Sequence, residues 1–204
     1  TLPPAARLAT FDGISIDKTG TNYTLVASAG TLEAVSSDPF EVLPGAPAKL
    51  SFVPGIGSSF GATTAIGNPV HILVLDAPDN VVEGSSFPVT LAIGHNPSGG
   101  ALSGTVARTA ENGRVTFIDV SIDKVGLGYT LVASGPDVAS ATSTCFDIIQ
   151  GQPSHLVFLE QPLASHSAGL VYPTFRVEAR DAGGNPVLDR TMTVVLSVEQ
   201  SSAG

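Results

Sequence analysis

Short runs of alternating apolar and polar residues, separated by clusters of Gly, Pro, Asn and Asp, extend along the whole chain. A period of two places one face of a β-strand in a core, and the punctuating residues favour turns. The clearest runs are residues 49–53, 70–75, 87–93, 113–122, 129–133 and 142–149. The pattern predicts an all-β protein, with a Gly-, Ser- and Thr-rich loop or irregular edge at 54–68 and a long loop at 95–104.

One stretch of the chain occurs twice. Residues 121–134 repeat residues 15–28 almost letter for letter, at an offset of 106 (121 − 15). In each copy an apolar run is followed by Asp-Lys-x-Gly and then by Tyr-Thr-Leu-Val-Ala. Two such stretches at this separation indicate tandem copies of one domain-sized unit.

The repeated motif predicts the same local structure in both copies. We expect the Asp to end a strand by bonding its own backbone and the Gly to adopt a positive φ. The Tyr then opens the next strand, either as an ordinary core aromatic or as the tyrosine corner of an immunoglobulin-like sandwich, whose hydroxyl bonds back to the main chain. The predicted structural residues are Asp17, Gly20 and Tyr23 in the first copy and Asp123, Gly126 and Tyr129 in the second.

Through this motif and its repetition, the chain resembles the bacterial immunoglobulin-like domain repeats of surface adhesins and exported fibre proteins. The resemblance covers the whole chain and implies tandem immunoglobulin-like β-sandwiches of Greek-key topology, with a period of about 102 residues. It implies an extracellular, cell-surface location. It is weaker for function, because such domains serve as spacers, binding modules and filament units.

Matching the segments to one another predicts one complete repeat and two partial ones. Residues 1–46 correspond to the second half of a repeat, 47–151 to a complete repeat and 152–204 to the first half of another. Pro-containing segments near 44–47 and 151–153 are the predicted linkers. Within the partial repeats we expect strands at 9–16 and 193–198, the counterparts of strands in the complete repeat.

A partial repeat of about fifty residues cannot bury its own apolar face. The two partial repeats together carry the elements of one further domain. Either the chain is a window of a longer array, or separate subunits join head to tail and complete each other, as in donor-strand assembly. Both interpretations make identical neighbouring copies the expected partners and predict that Gly204 of one copy lies close to Thr1 of the next.

Charge and composition exclude several classes of partner. The net charge of −9 and the pI of about 4.6 argue against binding to nucleic acid or to an anionic membrane. No apolar stretch is long enough for a transmembrane helix, so we expect no membrane insertion. The opening Thr-Leu-Pro-Pro predicts a processed or excised piece. The only cysteine, Cys145, cannot form an intrachain disulfide and is predicted to be a small residue at the start of the last strand.

No motif in the sequence predicts catalysis or a cofactor. There is no G-x-S-x-G, no Cys–His pairing and no P-loop, and the histidines lack the spacing of metal ligands, so we expect a protein that is not an enzyme. Asp76, Asp79 and Asp181 lie in equivalent turns and leave open an inter-domain calcium site, although one turn offers too few oxygens. Lys18 and Lys124 leave open an internal crosslink to a neighbouring Asp or Asn.

The sequence therefore favours a structural function: a repeat unit of an extracellular prokaryotic surface filament, stalk or adhesin. The alternative is a carbohydrate- or protein-binding module, with glycan or host-surface contact. Such a module needs exposed aromatic side chains on one face, yet aromatics are 6% of the residues and Trp is absent. The candidates are Phe60, Phe87, Tyr172 and Phe175.

Overall fold

The computed structural model describes residues 8–67, 69–165, 167–188 and 190–199. These residues form β-strands and loops without any helix, so the predicted all-β class is confirmed for them. No helix in the described ranges is long and apolar enough to cross a membrane. The predicted proximity of Gly204 to Thr1 concerns residues outside these ranges.

From residue 8 onward, the N-terminal segment contains four short strands in two antiparallel pairs. They are β1 (Gly20–Tyr23), β2 (Val26–Ala27), β3 (Val35–Ser36) and β4 (Phe40–Val42). Strand β1 pairs with β4 and β2 pairs with β3, so the segment forms a two-part hairpin.

The central segment contains twelve strands. They are β5 (Lys49–Phe52), β6 (Ser59–Gly61), β7 (Val70–Leu75), β8 (Pro88–Ile93), β9 (Leu102–Ser103), β10 (Ala107–Thr109), β11 (Arg114–Phe117), β12 (Ser121–Ile122), β13 (Gly126–Tyr129), β14 (Leu131–Ser134), β15 (Ala141–Thr142) and β16 (Phe146–Ile149). One sheet has the order β11-β7-β5 and another has the order β10-β8-β14-β15. Two smaller sheets, β13-β16-β6 and β12-β9, complete a sandwich-like arrangement.

The hydrophobic core lies between these sheets and contains residues from Leu50 to Ile148. Burial alternates along the strands as a period of two requires: in β7, Val70, Ile72 and Val74 are fully buried while His71 is half-buried. The inward residues of β8 and β14 belong to the same cluster, so the two larger sheets share one core.

Among its described residues, the C-terminal segment contains one antiparallel pair, β17 (Pro153–Phe158) with β18 (Val177–Asp181). Its register repeats that of β5 with β7: Leu156 lies opposite Ala179, as Leu50 lies opposite Val74. The N-terminal hairpin likewise repeats the end of the central segment, because Tyr23 lies opposite Phe40 as Tyr129 lies opposite Phe146.

The predicted loop or irregular edge at 54–68 contains β6, which lies at the edge of a sheet, and the predicted loop at 95–104 contains β9. Phe60 lies in β6, which pairs parallel with β16, and the ring of Phe60 packs edge-on against Phe146 at 5.6 Å. Strand β9 forms at the end of the other predicted loop and pairs with β12. Both strands are too short, and too rich in Gly and Ser nearby, to give an alternating signal.

The predicted strands at 9–16 and 193–198 do not form: these residues have no regular secondary structure. Their central counterparts have hydrogen-bonding partners: β11 pairs with β7, and β8 lies between β10 and β14. In each end segment the corresponding neighbour belongs to the other end of the chain. A strand without a hydrogen-bonding partner has no reason to become regular.

Candidate assembly interface

Both copies of the Tyr motif have the same hydrogen bond. The Tyr129 hydroxyl donates to the main-chain oxygen of Lys124 at 3.0 Å, and the Tyr23 hydroxyl donates to that of Lys18 at 3.1 Å. Tyr129 is fully buried and stacks on Phe146, with ring centroids 6.3 Å apart. The hydroxyl thus fixes the loop that precedes the strand, while the ring anchors it in the core.

The expectation of a positive φ at Gly20 and Gly126 is wrong. The left-handed residues lie two positions later, at Asn22 with φ 61° and Gly128 with φ 80°. Gly126 is needed for space: a Cβ there would lie 3.0 Å from Tyr129 Cε2 and 2.6 Å from the Ser98 hydroxyl oxygen. At Gly20 a Cβ would also lie 3.0 Å from the tyrosine ring, so glycine admits the ring in both copies.

The expectation that the motif Asp bonds its own backbone is wrong for Asp123. Its Oδ1 accepts a hydrogen bond from the Ala101 amide at 2.7 Å, and its Oδ2 lies 3.5 Å from Lys124 Nζ. The main-chain oxygen of Asp123, and likewise that of Asp17, faces a different partner across a junction between segments.

At the first junction, the loop after Ile16 meets the turn after β7. The Asn80 side-chain amide donates to the Asp17 carbonyl at 2.8 Å, while its Oδ1 accepts from the Thr19 amide at 3.2 Å. Lys18 Nζ donates to the Pro78 carbonyl at 2.6 Å. We call this set of three hydrogen bonds the junction clamp.

The second junction repeats the clamp. The Asn185 amide donates to the Asp123 carbonyl at 2.7 Å, and its Oδ1 accepts from the Val125 amide at 3.2 Å. Lys124 Nζ donates to the Gly183 carbonyl at 2.6 Å. The three bonds therefore recur with nearly the same lengths, and both junctions have one geometry.

A buried carboxylate supports each clamp. Asp76 accepts hydrogen bonds from the main-chain amides of Gly45 and Asn80, at 2.9 and 2.7 Å, and from the Asn80 side chain. Burial opposes ionisation, but the hydrogen bonds from Asn80 and Gly45 outweigh it and hold the pKa of Asp76 below its usual value. This carboxylate ties the linker glycine to the turn that carries the clamp.

Asp181 has the same role at the second junction. It accepts from the Gly151 and Asn185 amides, each at 2.9 Å. Burial again opposes ionisation, and the hydrogen bonds from Gly151 and Asn185 lower the pKa of Asp181 all the same. The repeated Asp-x-x-x-Asn spacing marked both turns in the sequence, but it did not predict that the asparagines bind across the junctions.

The turn geometry favours backbone bonding over calcium. The oxygens of Asp76 already accept N–H donors, and Asp79 points elsewhere to form an ion pair with Lys49 at 2.7 Å. In the described part of the chain, no three or more His, Cys, Asp or Glu side chains converge as a metal site would require. Lys18 and Lys124 act as donors across the junctions, which is not the geometry of a crosslink to Asp or Asn.

The N-terminal segment exposes residues whose counterparts form the central core. Phe11, Ile14 and Leu25 are 67%, 61% and 50% exposed. Their counterparts at the offset of 106 are fully buried: Phe117, Val120 and Leu131. We call this surface the N-terminal face; together with Val26 and Val35, its residues line an open groove.

The C-terminal segment is uncovered in the complementary way. Leu156 is 51% exposed, whereas its counterpart Leu50 is buried in the core. Val194 and Leu196 are 47% and 60% exposed, and at an offset of 105 (181 − 76) they correspond to the buried Val89 and Leu91. We call this surface the C-terminal face.

Other parts of the molecule offer little to a small ligand. Phe60 and Phe87 pack against the core, Phe175 packs on Phe158, and Tyr172 is half-exposed, so these aromatics form no common platform.

The central segment has a polar cavity of about 590 Å³, lined by Arg108, Thr109, Glu111, Asn112, Arg114 and Thr116. Cys145 is exposed and directly precedes β16, so it lies just outside the strand that it was predicted to begin.

A comparison of the chain with protein-family models and with curated proteins found no match.

Proposed function

We propose that this chain is a structural repeat unit of an extracellular prokaryotic surface filament, stalk or adhesin, in which neighbouring copies complete the partial repeats head to tail. The observation that carries the proposal is that the same apolar positions are fully buried in the central segment and uncovered at the two ends. In the central segment these positions are covered by strands, and the sequence counterparts of those strands lie at the opposite end of the chain from the uncovered residues.

The strand arrangement supports repeats of immunoglobulin-like Greek-key type. One layer has the order β10-β8-β14-β15, the facing layer has β11-β7-β5, and β6 runs parallel to β16. Tyr129 ends β13 just before β14 and has its hydroxyl bonded back to the main chain, which is a hallmark of such folds. The matched registers at both ends support a tandem repeat with a period of about 102 residues and partial repeats at 1–46 and 152–204.

Energetics favour covering both faces together. Fully burying one Val, Leu, Ile or Phe side chain contributes roughly 1.5–3 kcal/mol, so Phe11, Ile14 and Leu25 contribute at most about 9 kcal/mol. Association costs about 4–15 kcal/mol in lost freedom of motion. The gain from one face laid on an unrelated surface is therefore only comparable to this cost, whereas the N-terminal face of one copy on the C-terminal face of another buries both sets.

The clamps suit a mechanical role. Each holds a segment boundary with three hydrogen bonds and a buried carboxylate, and each involves a short linker containing Pro. A row of domains joined in this way is stiff, because bending a joint breaks several bonds at once. If the chain belongs to a longer polypeptide, the completing strands come from the adjoining repeats of that polypeptide.

The test is the assembly state of the purified 204-residue protein. We expect light scattering to show oligomers that grow with protein concentration, and negative-stain images to show beaded fibres. A denaturing gel then gives a single band near the chain mass of 20.6 kDa. A protein that stays monomeric at every concentration contradicts the proposal.

A further inference from the structure

We propose that residues 25–28 of one copy pair antiparallel with residues 195–198 of a second copy, with Leu25 opposite Val198, Val26 opposite Ser197 and Ser28 opposite Val195. This register rests on the proposed function, since it specifies how the two faces meet. It is derived from pairings that the chain already makes internally.

The template is the contact between β14 and β8. Leu131 lies opposite Ile93, Val132 opposite Ala92, Ala133 opposite Leu91 and Ser134 opposite Thr90. Residues 25–28 follow the counterpart offset of 106, which the pairing of Tyr23 with Phe40 reproduces. Residues 195–198 follow the offset of 105, which the bridges Leu75–Val81 and Arg180–Pro186 reproduce.

The N-terminal hairpin leaves the required edge open. Strand β2 pairs with β3 in the register that β14 uses with β15: Val26 lies opposite Ser36 as Val132 lies opposite Thr142. In the centre, the other edge of β14 is occupied by β8. Within the described ranges, β2 has no strand on that edge.

The side chains alternate as this pairing requires. Leu25 and Ala27 correspond to the buried Leu131 and Ala133, and Val194 and Leu196 correspond to the buried Val89 and Leu91. Ser197 corresponds to the exposed Ala92. A shift by one residue would turn Leu196 away from the core and Ser197 into it, so the hydrophobic pattern specifies the register.

The layer that contains β11 and β7 supports the same arrangement. In the centre, Phe117 lies opposite Val70 and Val115 opposite Ile72. The same offsets place Phe11 opposite Phe175 and Ala9 opposite Val177 of the second copy. One neighbour therefore completes both layers of the sandwich.

The partner is a second copy because the two clamps lie at opposite ends of the central segment. Arg114 lies opposite Leu73 and Phe117 opposite Val70, so the chain leaves β11 at the Val70 end of β7 and continues to the Asp123 loop. The Asp76 turn lies at the other end, roughly 20 Å away for a six-residue strand. The two end segments of one chain cannot meet while both clamps hold.

Cysteine crosslinking tests the register. In a Cys145→Ser background, the pair Val26→Cys and Ser197→Cys places two thiols directly opposite across copies. After oxidation, a non-reducing gel is expected to show a ladder of covalent multimers. The pair Val26→Cys and Leu196→Cys places the thiols on opposite faces of the sheet and is expected to give no ladder.

A matched control checks the chemistry. Val132→Cys with Ala92→Cys is the internal equivalent, and its partners already lie opposite each other, so it is expected to close within one chain. If the control pair forms its internal disulfide and the test pair gives native oligomers without a ladder, the register is wrong and the proposed function still stands. A fast-migrating crosslinked monomer from the test pair means that the chain closes on itself, which overturns both, as does a monomer without crosslinks.

Discussion

The Asn80 side-chain amide donates a 2.8 Å hydrogen bond to the carbonyl of Asp17, a residue 63 positions earlier. The equivalent bond from Asn185 to Asp123 is 2.7 Å long and spans 62 positions. At each of the two junctions, one asparagine therefore connects consecutive segments in the same way. In each bond the asparagine side chain donates to a main-chain oxygen of the partner loop. The bond therefore fixes the position of that loop without depending on its sequence.

We expect removal of this asparagine to loosen the joint. Asn80→Ala deletes the bonds to Asp17 and Thr19 and takes a donor from the Asp76 carboxylate, a loss of about 1–3 kcal/mol. Thermal unfolding should report the loss, and small-angle scattering should report a broader range of shapes. Asn185→Ala should give the same result at the other joint; unchanged scattering in both variants would show that the clamps do not stiffen the chain.

Acid should weaken the joints. The pKa values of Asp76 and Asp181 are lowered by folding, so the unfolded chain takes up protons first as the pH falls. Their stabilising contribution is therefore complete above the unfolded pKa of about 3.9 and is lost as the pH falls through the lower folded values. Melting curves between about pH 6 and pH 2 should show this loss.

The variants Asp76→Asn and Asp181→Asn separate these groups from the other carboxylates. Each should be less stable than the wild type near neutral pH, because an amide cannot accept all the N–H donors that converge there. The gap should shrink as the pH falls below about 4. A gap that stays constant across the titration would show that these carboxylates contribute nothing to the acid response.

The sequence predicted strands best where both neighbours of a strand lie in the same segment. The bounds of β7 were predicted correctly, because Val70, Ile72 and Val74 alternate with the partly exposed His71 and Leu73. The equally periodic residues 193–198 form no strand, since alternation gives a preference for extended structure but supplies no partner. Pattern alone could not distinguish the two cases.

The junctions were beyond sequence reasoning for a different reason. Asn80 and Lys18 are polar residues in turns, and such residues usually serve only their own turn. Their role depends on which loop lies opposite after folding, which local patterns do not encode. The Tyr motif was recognisable because its ring, its hydroxyl and its glycine act within a few residues, although the reason for Gly126 was steric and not conformational.

Gly126→Ala should destabilise the central segment. The new methyl group would meet the Ser98 hydroxyl at 2.6 Å and the Tyr129 ring at 3.0 Å, and overpacking of this kind costs about 1–3 kcal/mol. Gly84→Ala is the control, because nothing lies within 4 Å of its Cβ position and its φ is not positive. Chemical unfolding should separate the two; equal stabilities would mean that the tyrosine ring moves aside freely.

Leu25→Arg should block assembly without unfolding the protein. Leu25 is half-exposed in the single chain, so the substitution costs the isolated molecule little, but in the proposed contact it would bury an unpaired charge where Leu131 is buried in the centre. Light scattering should show monomers at concentrations where the wild type forms oligomers.

The matched control is Leu127→Arg, the same change at a side chain that is 72% exposed in the complete central segment, outside the N-terminal face. It should assemble like the wild type. Leu131→Arg should instead fail to fold, because its site lies in the closed core. If Leu25→Arg assembles as well as Leu127→Arg does, the N-terminal face is not the contact surface, and the uncovered apolar residues need another explanation.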